Sequence, residues 1–384
     1  MTIMLSVPPL SLYIHIPWCV RKCPYCDFNS HRAESVLAEA PYIAALLLDL
    51  DQQLPAVAGR RIETVFIGGG TPSLFSAEAI ATLLMGVRER VELAPAAEIT
   101  LEANPGTAEC GKFRGFRQAG VNRLSIGVQS LDPRQLQRLG RIHDREEALN
   151  AAEMARAAGF DNFNLDLMFG LPEQTGDEAL ADIRSAIALQ PTHMSYYQLT
   201  LEPNTVFHKY PPRLPEDEAI WAIQQSCQAV LAEHGYRQYE VSAYAREGAR
   251  CQHNLNYWQF GDYLGIGAGA HGKISDPVTG TIRRTARIKH PQHYLEAVAD
   301  SERVGSVTRV AAEDRRFEFM MNSLRLRDGV ATGLFTERTG LPLSALEPEL
   351  SALRAEGLLE CDGDALRCSD SGYNFLDNVL QRFL

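Results

Sequence analysis

Short apolar runs alternate with amphipathic segments along the first half of the chain. Each run has the length of a β-strand, and each amphipathic segment repeats its apolar side chains at the spacing of a helix. The runs predicted as strands are 12–16, 64–67, 99–101, 123–126, 164–168 and 194–199. The helices predicted between them include 42–54, 148–158 and 178–189. Six βα units in series predict an α/β fold with a parallel sheet, either an open doubly wound sheet or a partial barrel.

Polar and glycine residues follow directly after several of these strands. In chain order they are the cysteines of 19–26, the glycines of 68–70, Glu102, Gln129 and Asp166. The carboxyl ends of parallel strands lie on one face of an α/β fold, and such folds build their sites on that face. The pattern therefore predicts one functional site at the carboxyl edge of the sheet.

The second half of the chain has a different pattern. A helix predicted over 214–235 precedes a run of aromatic and β-branched residues at 236–244, which predicts a strand. A distinctive loop is predicted at 251–258. Helical patches and a hairpin follow beyond about residue 310, and they indicate a small domain of winged-helix type. The predicted domains are a partial-barrel core (1–235), a barrel extension (236–305) and a small helix-plus-hairpin domain (306–384).

Composition and charge narrow the classes of function. With 384 residues, the chain is long enough for one large domain and a small one. A net charge of −11 disfavours a broad surface for nucleic acid, so we expect no nucleic-acid partner. The first residues carry no basic segment, and Pro8 and Pro9 interrupt their apolar run, so we read no signal peptide. No run has the length of a membrane span, and we therefore expect a cytoplasmic protein with reduced thiols.

Three of the eight cysteines form a C-x3-C-x2-C run at Cys19, Cys23 and Cys26. One short loop can place three thiolates around a single metal centre. A [4Fe–4S] cluster needs four ligands, so three thiolates would leave one iron open to a non-protein ligand. A three-ligand zinc site is the alternative, although zinc sites usually combine paired C-x2-C knuckles. We interpret four further cysteines as ordinary thiols, namely Cys110, Cys227, Cys361 and Cys368.

This cysteine run, with Tyr25 just before the third cysteine, resembles the radical S-adenosylmethionine (SAM) superfamily. The wider string from Tyr13 to Phe28 is similar to the branch that holds oxygen-independent coproporphyrinogen III oxidase and a haem chaperone. The resemblance implies a six-stranded (βα)6 partial barrel, a [4Fe–4S] cluster on the three cysteines, and SAM on the open iron. In that superfamily, one electron from the cluster cleaves SAM to a 5′-deoxyadenosyl radical.

The glycines at 68–70 are followed by Thr71 and Pro72. They do not form a P-loop, because no Lys-Ser/Thr pair follows. Three glycines would let a ligand approach the backbone closely and would expose amide N–H groups to an anion, whereas a plain tight turn needs only one. The resemblance implies that this GGGTP string contacts the amino-acid end of SAM.

The resemblance gives further residues a role in SAM binding. On residue type alone, Glu102 could equally be a structural salt-bridge partner, because a buried carboxylate is unfavourable unless it is paired. Arg141 could pair with a carboxylate through its planar fork. The tyrosines would flank the cluster and the methionyl end of SAM. The predicted SAM-binding set is Tyr13, Tyr25, Gly69, Gly70, Thr71, Glu102, Gln129, Arg141 and Asp166.

Two strings in the second half also carry candidate chemistry. The string 267–272 fits G-x-G-x-x-G, but basic residues stand at 280–290 where a dinucleotide site needs an acidic one. We expect a close-packed turn beside a ligand. The second string is HNxxYW, with His253, Asn254, Tyr257 and Trp258.

A lone histidine beside aromatic residues is usually structural, with its ring nitrogens satisfied locally. Against this, HNxxYW is typical of the haem chaperones of the resembling branch. Histidine can ligate haem iron and flat aromatic rings can cover a porphyrin face. Cys251, two residues before His253, is a second candidate ligand. We predict that the string takes part in haem binding and leave the axial ligand open.

Two functions follow from the resemblance. One is a haem chaperone that binds haem and passes it to apo-haemoproteins, with membrane cytochromes as candidate acceptors. The other is an oxygen-independent coproporphyrinogen III oxidase, which decarboxylates propionate side chains by radical chemistry. The oxidase carries a further cysteine where this chain has Phe28, and a longer extension than the 18 residues before Cys19. We therefore favour the chaperone. Whether it cleaves SAM, forms a dimer or rests against a membrane is left open.

Overall fold

The computed structural model of the chain describes residues 5–33, 37–57, 59–360 and 364–384, apart from the side chains of 107 and 108. The strands are β1 (Leu10–Ile16), β2 (Trp18–Cys19), β3 (His31–Arg32), β4 (Ile62–Gly69), β5 (Leu93–Ala103), β6 (Arg123–Gln129), β7 (Phe163–Phe169), β8 (His193–Gln198), β9 (Arg237–Glu240), β10 (Ala243–Ala245), β11 (Asp262–Ile266), β12 (His271–Asp276), β13 (Thr281–Arg287), β14 (Val304–Arg309), β15 (Val330–Ala331) and β16 (Ala365–Leu366).

The helices alternate with the strands of the first half and dominate the C-terminal part. They are α1 (Glu39–Gln53), α2 (Ala77–Arg90), α3 (Thr107–Cys110), α4 (Phe113–Ala119), α5 (Pro133–Arg138), α6 (Arg145–Ala157), α7 (Gly176–Ala188), α8 (Val206–Lys209), α9 (Asp217–Glu233), α10 (Gln252–Trp258), α11 (Pro291–Glu296), α12 (Asp300–Arg303), α13 (Ala312–Ser323), α14 (Thr332–Thr339), α15 (Glu349–Ala355), α16 (Asp370–Asn374) and α17 (Leu376–Gln381). Short 3₁₀ turns lie at Leu54–Ala56, Pro72–Leu74 and Leu343–Leu346.

Within the described residues, twelve strands form one sheet in the order β14-β13-β12-β11-β1-β4-β5-β6-β7-β8-β10-β9. The six strands from β1 to β8 in this order run parallel, and they are the six that the sequence predicts. β11 continues the parallel part beside β1, and antiparallel strands complete both edges. The parallel α/β fold is confirmed. The carboxyl ends of six consecutive strands share one edge.

Burial and capping explain why these segments fold as they do. Both faces of β1 are buried, and α1 packs Tyr42, Leu46 and Leu50 into the same apolar core. Parallel strands covered on both faces are expected to be continuously apolar. Helices α6 and α7 each start with a capping box, in which a side chain and a backbone amide bond reciprocally. These caps fix where α6 and α7 begin.

Two predictions for 236–258 are wrong in detail. The predicted strand at 236–244 is a hairpin of β9 and β10, because Glu240 accepts hydrogen bonds from the backbone and side chain of Ser242 and stabilises a turn. The predicted loop at 251–258 is helix α10. Its first amides, those of Gln252 and His253, donate to the Glu98 carboxylate at 3.2 and 3.1 Å. A negative charge at a helix N-terminus stabilises the helix, and this one comes from a distant strand.

The C-terminal part has its own apolar cluster, built mainly from α13–α17. The cluster also takes in Tyr239, Phe260 and Ile282, so the predicted extension and C-terminal domain share a core. The predicted hairpin appears as a bridge between Leu359 and Cys368, while β16 pairs with β15. Residue 361, one of the cysteines interpreted as ordinary thiols, lies outside the described residues, and the domain boundaries stay a prediction. No helix in the described part of the chain is long and apolar enough to cross a membrane.

Candidate metal and cofactor site

The three cysteines of the C-x3-C-x2-C run line one cavity of about 540 Å³ at the carboxyl edge of the parallel strands. The same cavity is lined by the predicted SAM residues Tyr25, Gly69, Gly70, Thr71, Glu102, Gln129, Arg141 and Asp166. Tyr13 is the exception, because it lines a neighbouring cavity, with its hydroxyl 2.9 Å from Nδ1 of His15. The structure thus brings together residues that are spread over about 150 positions of the sequence.

A chain of hydrogen bonds connects two of the cysteines. The Thr71 hydroxyl donates to Sγ of Cys19 at 3.4 Å, and the Arg141 guanidinium donates to Sγ of Cys23 at 3.5 Å. Asn104 joins the two donors, since its amide donates to Thr71 at 3.0 Å and accepts from Arg141 at 2.6 Å. Donors of this kind orient and tune metal-bound sulfur. Asn104 is not among the residues predicted from the sequence, although it stands just past the end of β5.

This donor set fits an iron–sulfur cluster that is held by three thiolates. A [4Fe–4S] cluster binds each thiolate to a different iron, so the sulfurs need not meet at one ion. In the part of the chain that the structure describes, no group of three or more His, Cys, Asp or Glu side chains could hold a single metal ion, which gives the zinc alternative no support. Nε of Arg141 is buried and has no acceptor in the described part of the chain.

The glycine run is not an anion site of free amides, and that expectation is wrong. Three consecutive N–H groups of the turn are already used inside the protein. Their acceptors come from the last residue of β1, from β2, and from a carboxylate on the third parallel strand. The bonds are Gly69 N to Glu102 Oε2 (2.9 Å), Gly70 N to Ile16 O (2.8 Å) and Thr71 N to Trp18 O (2.7 Å). Any contact between this turn and a ligand must therefore use its other atoms.

The glycines are needed because the segment before the cysteines packs directly on the turn. A Cβ at Gly70 would lie 2.5 Å from the carbonyl oxygen of Trp18, and one at Gly69 would lie 2.5 Å from the ring of His15. Real Cβ atoms essentially never make contacts this short, so a side chain at either position would force its neighbour to move. The turn thereby fixes the strand that leads into the cysteine loop.

Glu102 is a carboxylate without a cationic partner. None of the described Lys and Arg side chains lies within ion-pair distance of it, so the structural salt-bridge alternative is not supported. Burial and, to a smaller extent, the nearby Asp166 raise the pKa of Glu102 to about 7. Burial likewise raises the pKa of Asp166, which accepts hydrogen bonds from Ser125 and Asn164. Two neighbouring carboxylates whose pKa values are raised in this way would favour a ligand that brings a positively charged group.

Gln129 occupies a strained position at the end of β6. Its φ of +70° is in the left-handed region, which a non-glycine residue seldom adopts. Its side-chain oxygen accepts a hydrogen bond from the Tyr197 hydroxyl at 2.6 Å, and both residues line the cysteine cavity. Strain of this kind often accompanies functional sites. The role of Tyr197 could not be read from the sequence, because its hydrogen bond reaches from β8 across β7 to the end of β6.

A second cavity, of about 600 Å³, adjoins the first. Both cavities are lined by Asp27, Phe28, Gly69 and Glu102, so Phe28, which is 59% exposed, lies between them. Of the predicted haem residues, Tyr257 and Trp258 line this second cavity, whereas His253 and Asn254 line neither.

His253 is buried and has a hydrogen-bond partner at each ring nitrogen. Nδ1 lies 2.8 Å from the Thr64 hydroxyl, and Nε2 lies 2.9 Å from the Tyr257 hydroxyl. Burial and the nearby Arg123 lower the pKa of His253 to about 3, so the ring is neutral. Ligation of iron by His253 would break one of these bonds. Cys251 is also buried away from both cavities, with its thiol donating to Glu98 at 3.5 Å.

The glycine string 267–272 forms a turn that packs on the cysteine loop. Gly267 has a φ of +106°, and a Cβ there would lie 2.3 Å from the carbonyl oxygen of His15. Gly269, with a φ of +84°, lies against the side chain of Asn29. Asn29 in turn donates to the carbonyl oxygen of Ala268 at 2.9 Å. The predicted close-packed turn is confirmed.

Comparison with known proteins agrees with this geometry. The model of the radical SAM superfamily matches residues 13–186, and that of the HemN C-terminal domain matches residues 310–375. The parallel α/β fold, the three-cysteine loop and these matches define a radical SAM protein. The heme chaperone HemW of Escherichia coli is 50% identical over 386 residues, covering 99% of this chain and 100% of the relative. HemW of Haemophilus influenzae is 49% identical, covering 99% of each chain. The chain belongs to the HemW family.

A solved structure adds evidence on the fold. Coproporphyrinogen III oxidase (HemN) from Escherichia coli aligns with a TM-score of 0.82, covering 98% of this chain and 90% of that chain. Sequence identity in this alignment is 24%. The likeness confirms the partial-barrel fold with a HemN-type C-terminal domain.

Proposed function

We propose that this protein binds haem and transfers it to apo-haemoproteins, and that it carries a [4Fe–4S] cluster and SAM. The observation that carries the proposal is the 50% identity, along 99% of the chain, to a relative named as a heme chaperone. The cavity with three thiols and an unpaired carboxylate supports the two cofactors. Acceptors would be apo-haemoproteins, membrane cytochromes among them.

The residues of the first cavity divide into two groups. Cys19, Cys23 and Cys26 hold the cluster, and the network of Thr71, Asn104 and Arg141 orients two of their sulfurs. The predicted SAM set, with Glu102 as the partner of an ammonium group, holds SAM against the open iron. When bound and reduced, the cluster supplies the electron that can cleave the sulfonium of SAM. Burial of Glu102 strengthens its attraction to a cation.

The cluster is tested by anaerobic reconstitution with iron and sulfide. We expect about four irons and four sulfides per chain in the wild type, as in a [4Fe–4S] protein. Replacement of any one of the three cysteines by alanine should lower both counts and remove the absorption of the cluster. Cys110→Ala is the matched control, since this buried thiol lies outside the cavity. Counts that do not change in the three variants would contradict the assignment.

The chaperone function is tested with two assays on the reconstituted protein. It should bind hemin stoichiometrically and give it up to an apo-haemoprotein. It should not convert coproporphyrinogen III to protoporphyrinogen IX under anaerobic conditions with SAM and a reductant. Clean conversion would assign the protein to the oxidase instead. Failure to bind hemin would contradict the chaperone function directly.

A further inference from the structure

The second cavity is bounded by segments that are far apart in the sequence. Its floor is the antiparallel extension formed by β11, β12 and β13, and α13 covers it. The register pairs Tyr263 with Lys273, and Lys273 with Arg284. Directly opposed residues of antiparallel strands share a face, so the three side chains form a row. Arg284 pairs with Glu318 of α13 at 2.7 Å, which shows that this row faces the cover.

Aromatic side chains form much of the wall. Tyr257 and Trp258 come from α10, Tyr263 from β11 and Phe28 from the cysteine loop. The rings of Tyr257 and Tyr263 are perpendicular, with centroids 4.6 Å apart. The indole N–H of Trp258 is buried and has no acceptor among the described residues. Walls of this type suit a flat conjugated ring that carries polar groups at its edge.

The cavity also offers positive charge for acidic groups of a ligand. Lys273 is already neutralised by Asp262 at 3.0 Å. Lys289 makes no hydrogen bond or ion pair through its ammonium group with the described residues, and Arg284 lies nearby in the same wall. Arg284 is already paired with Glu318, so a ligand with carboxylate arms would find one uncompensated cation among the described residues of this cavity, Lys289.

Two histidines line this cavity, and they differ in availability. His15 has both ring nitrogens in contact, with the Tyr13 hydroxyl at 2.9 Å and the carbonyl oxygen of Asn29 at 2.8 Å. His271 is exposed, and its ring makes no hydrogen bond within the described chain. It lies two residues before Lys273 on β12, so it is on the face that meets the cavity. Its imidazole is therefore free to bind a metal.

We propose that the second cavity is the haem site of this protein and that His271, rather than His253, ligates the iron. This inference rests on the proposed function, and it names the cavity in which haem would bind. Tyr257 and Trp258 cover a face of the macrocycle, while Lys289 receives a propionate. His253 is a positioning residue, which holds the Tyr257 hydroxyl from behind.

The test compares hemin with metal-free protoporphyrin IX, titrated into the full chain and followed by absorbance and fluorescence. Loss of the side chain that coordinates iron should weaken the binding of hemin only, because metal-free protoporphyrin IX contains no iron. In His271→Ala we expect the histidine-ligated spectrum to disappear and hemin to bind about tenfold more weakly or worse, a loss typical of disturbed metal sites. Binding of metal-free protoporphyrin should change by less than about twofold, and added imidazole should restore the spectrum. His293→Ala, an exposed histidine outside both cavities, is the control.

Two further variants separate the parts of the proposal. Lys289→Glu should weaken the binding of hemin and of metal-free protoporphyrin IX alike, by about threefold to tenfold, as expected for a partly exposed ion pair. His253→Gln should keep the histidine-ligated spectrum. The proposal is overturned if His271→Ala keeps that spectrum, or if His253→Gln loses it while metal-free protoporphyrin still binds.

The failures of the two proposals are distinguishable. If the wild type binds neither hemin nor protoporphyrin, the proposed function itself is wrong. If it binds hemin tightly and neither His271→Ala nor Lys289→Glu has an effect, the function stands and haem binds elsewhere.

Discussion

Replacing Glu102 by glutamine should stabilise the cofactor-free protein at alkaline pH and weaken its binding of SAM. The cause of both effects is the charge of Glu102, which is partly buried and has no cationic partner among the described residues. Burial and the neighbouring Asp166 raise the pKa of Glu102 from its ordinary 4.5 to about 7 in the folded chain. Glutamine keeps an oxygen that can accept the Gly69 N–H bond but carries no charge.

The sign and size of the effect follow from proton linkage. Between pH 4.5 and about 7, folded wild type retains a proton on Glu102 that the unfolded chain releases, so wild-type stability falls as the pH rises. The shift is 7 − 4.5 = 2.5 units, which at about 1.36 kcal/mol per unit gives about 3 kcal/mol as an upper limit. Glu102 is only half-buried, beside an open cavity, and screening by water reduces this to about 1–3 kcal/mol.

The measurement is urea unfolding of cofactor-free wild type and Glu102→Gln at pH 5 and pH 8. The advantage of the variant should be below about 1 kcal/mol at pH 5 and about 1–3 kcal/mol at pH 8. Glu98→Gln is the matched control, because Glu98 lies 4.0 Å from the buried Arg123 and bonds the first amides of α10. Loss of that paired charge should destabilise the protein by about 3 kcal/mol or more.

Two outcomes would refute the reasoning on Glu102. A variant that is less stable than wild type at pH 8 would show that the carboxylate is compensated in the folded chain. An equal advantage at both pH values would show that the effect is not due to titration. Calorimetry tests the second expected effect, which is weaker binding of SAM. We expect the affinity for SAM to fall about tenfold or more, since the site would lose the charge that meets an ammonium group.

Two further variants test the support of the cysteine loop. Asn104→Ala removes the bridge between Thr71 and Arg141, the two residues that donate hydrogen bonds to the sulfurs. It should lower stability by about 1–3 kcal/mol and shift the electron paramagnetic resonance signal of the reduced cluster, while the iron count stays unchanged. An unaltered signal would contradict the role of the network. Gly70→Ala places a Cβ 2.5 Å from the carbonyl oxygen of Trp18, so it should lower iron incorporation and lower stability by about 1–3 kcal/mol. Gly176→Ala, which meets nothing within 4 Å, should do neither.

The parallel core could be predicted because each strand is an apolar run with polar residues at its end. The predicted bounds were short where glycine or proline interrupts the pattern. Strand β4 extends to Gly69 because Gly68 and Gly69 pair with His15 and Ile16 of β1, although both glycines have the character of a turn. The early part of β5 contains Ala-Pro-Ala-Ala, which no strand pattern predicts.

The residues of the site could be predicted from the sequence better than the hydrogen bonds that those residues make. Residues such as Glu102 and Gln129 stand near the ends of their strands, and parallel topology alone brings strand ends together, whereas Asp166 lies in the middle of β7. The hydrogen bonds form across space, as between Gln129 and Tyr197. Nothing in the order of residues shows them. Likewise, the hydrogen bonds that use the amides of the glycine run depend on how the first strand packs.

The HNxxYW string shows why a motif does not by itself assign a role. The interval from His253 to Tyr257 is one helical turn, so on α10 the histidine faces the tyrosine hydroxyl and hydrogen-bonds to it. Asn256, within the same string, donates to Ser11 and to the backbone of Asp262, which ties α10 to the sheet. The polar members therefore fix the helix, and Tyr257 and Trp258 are left to line the second cavity. On our proposal, this string contributes aromatic surface to the haem site from two of its residues, and the imidazole that ligates the iron comes from a strand outside it.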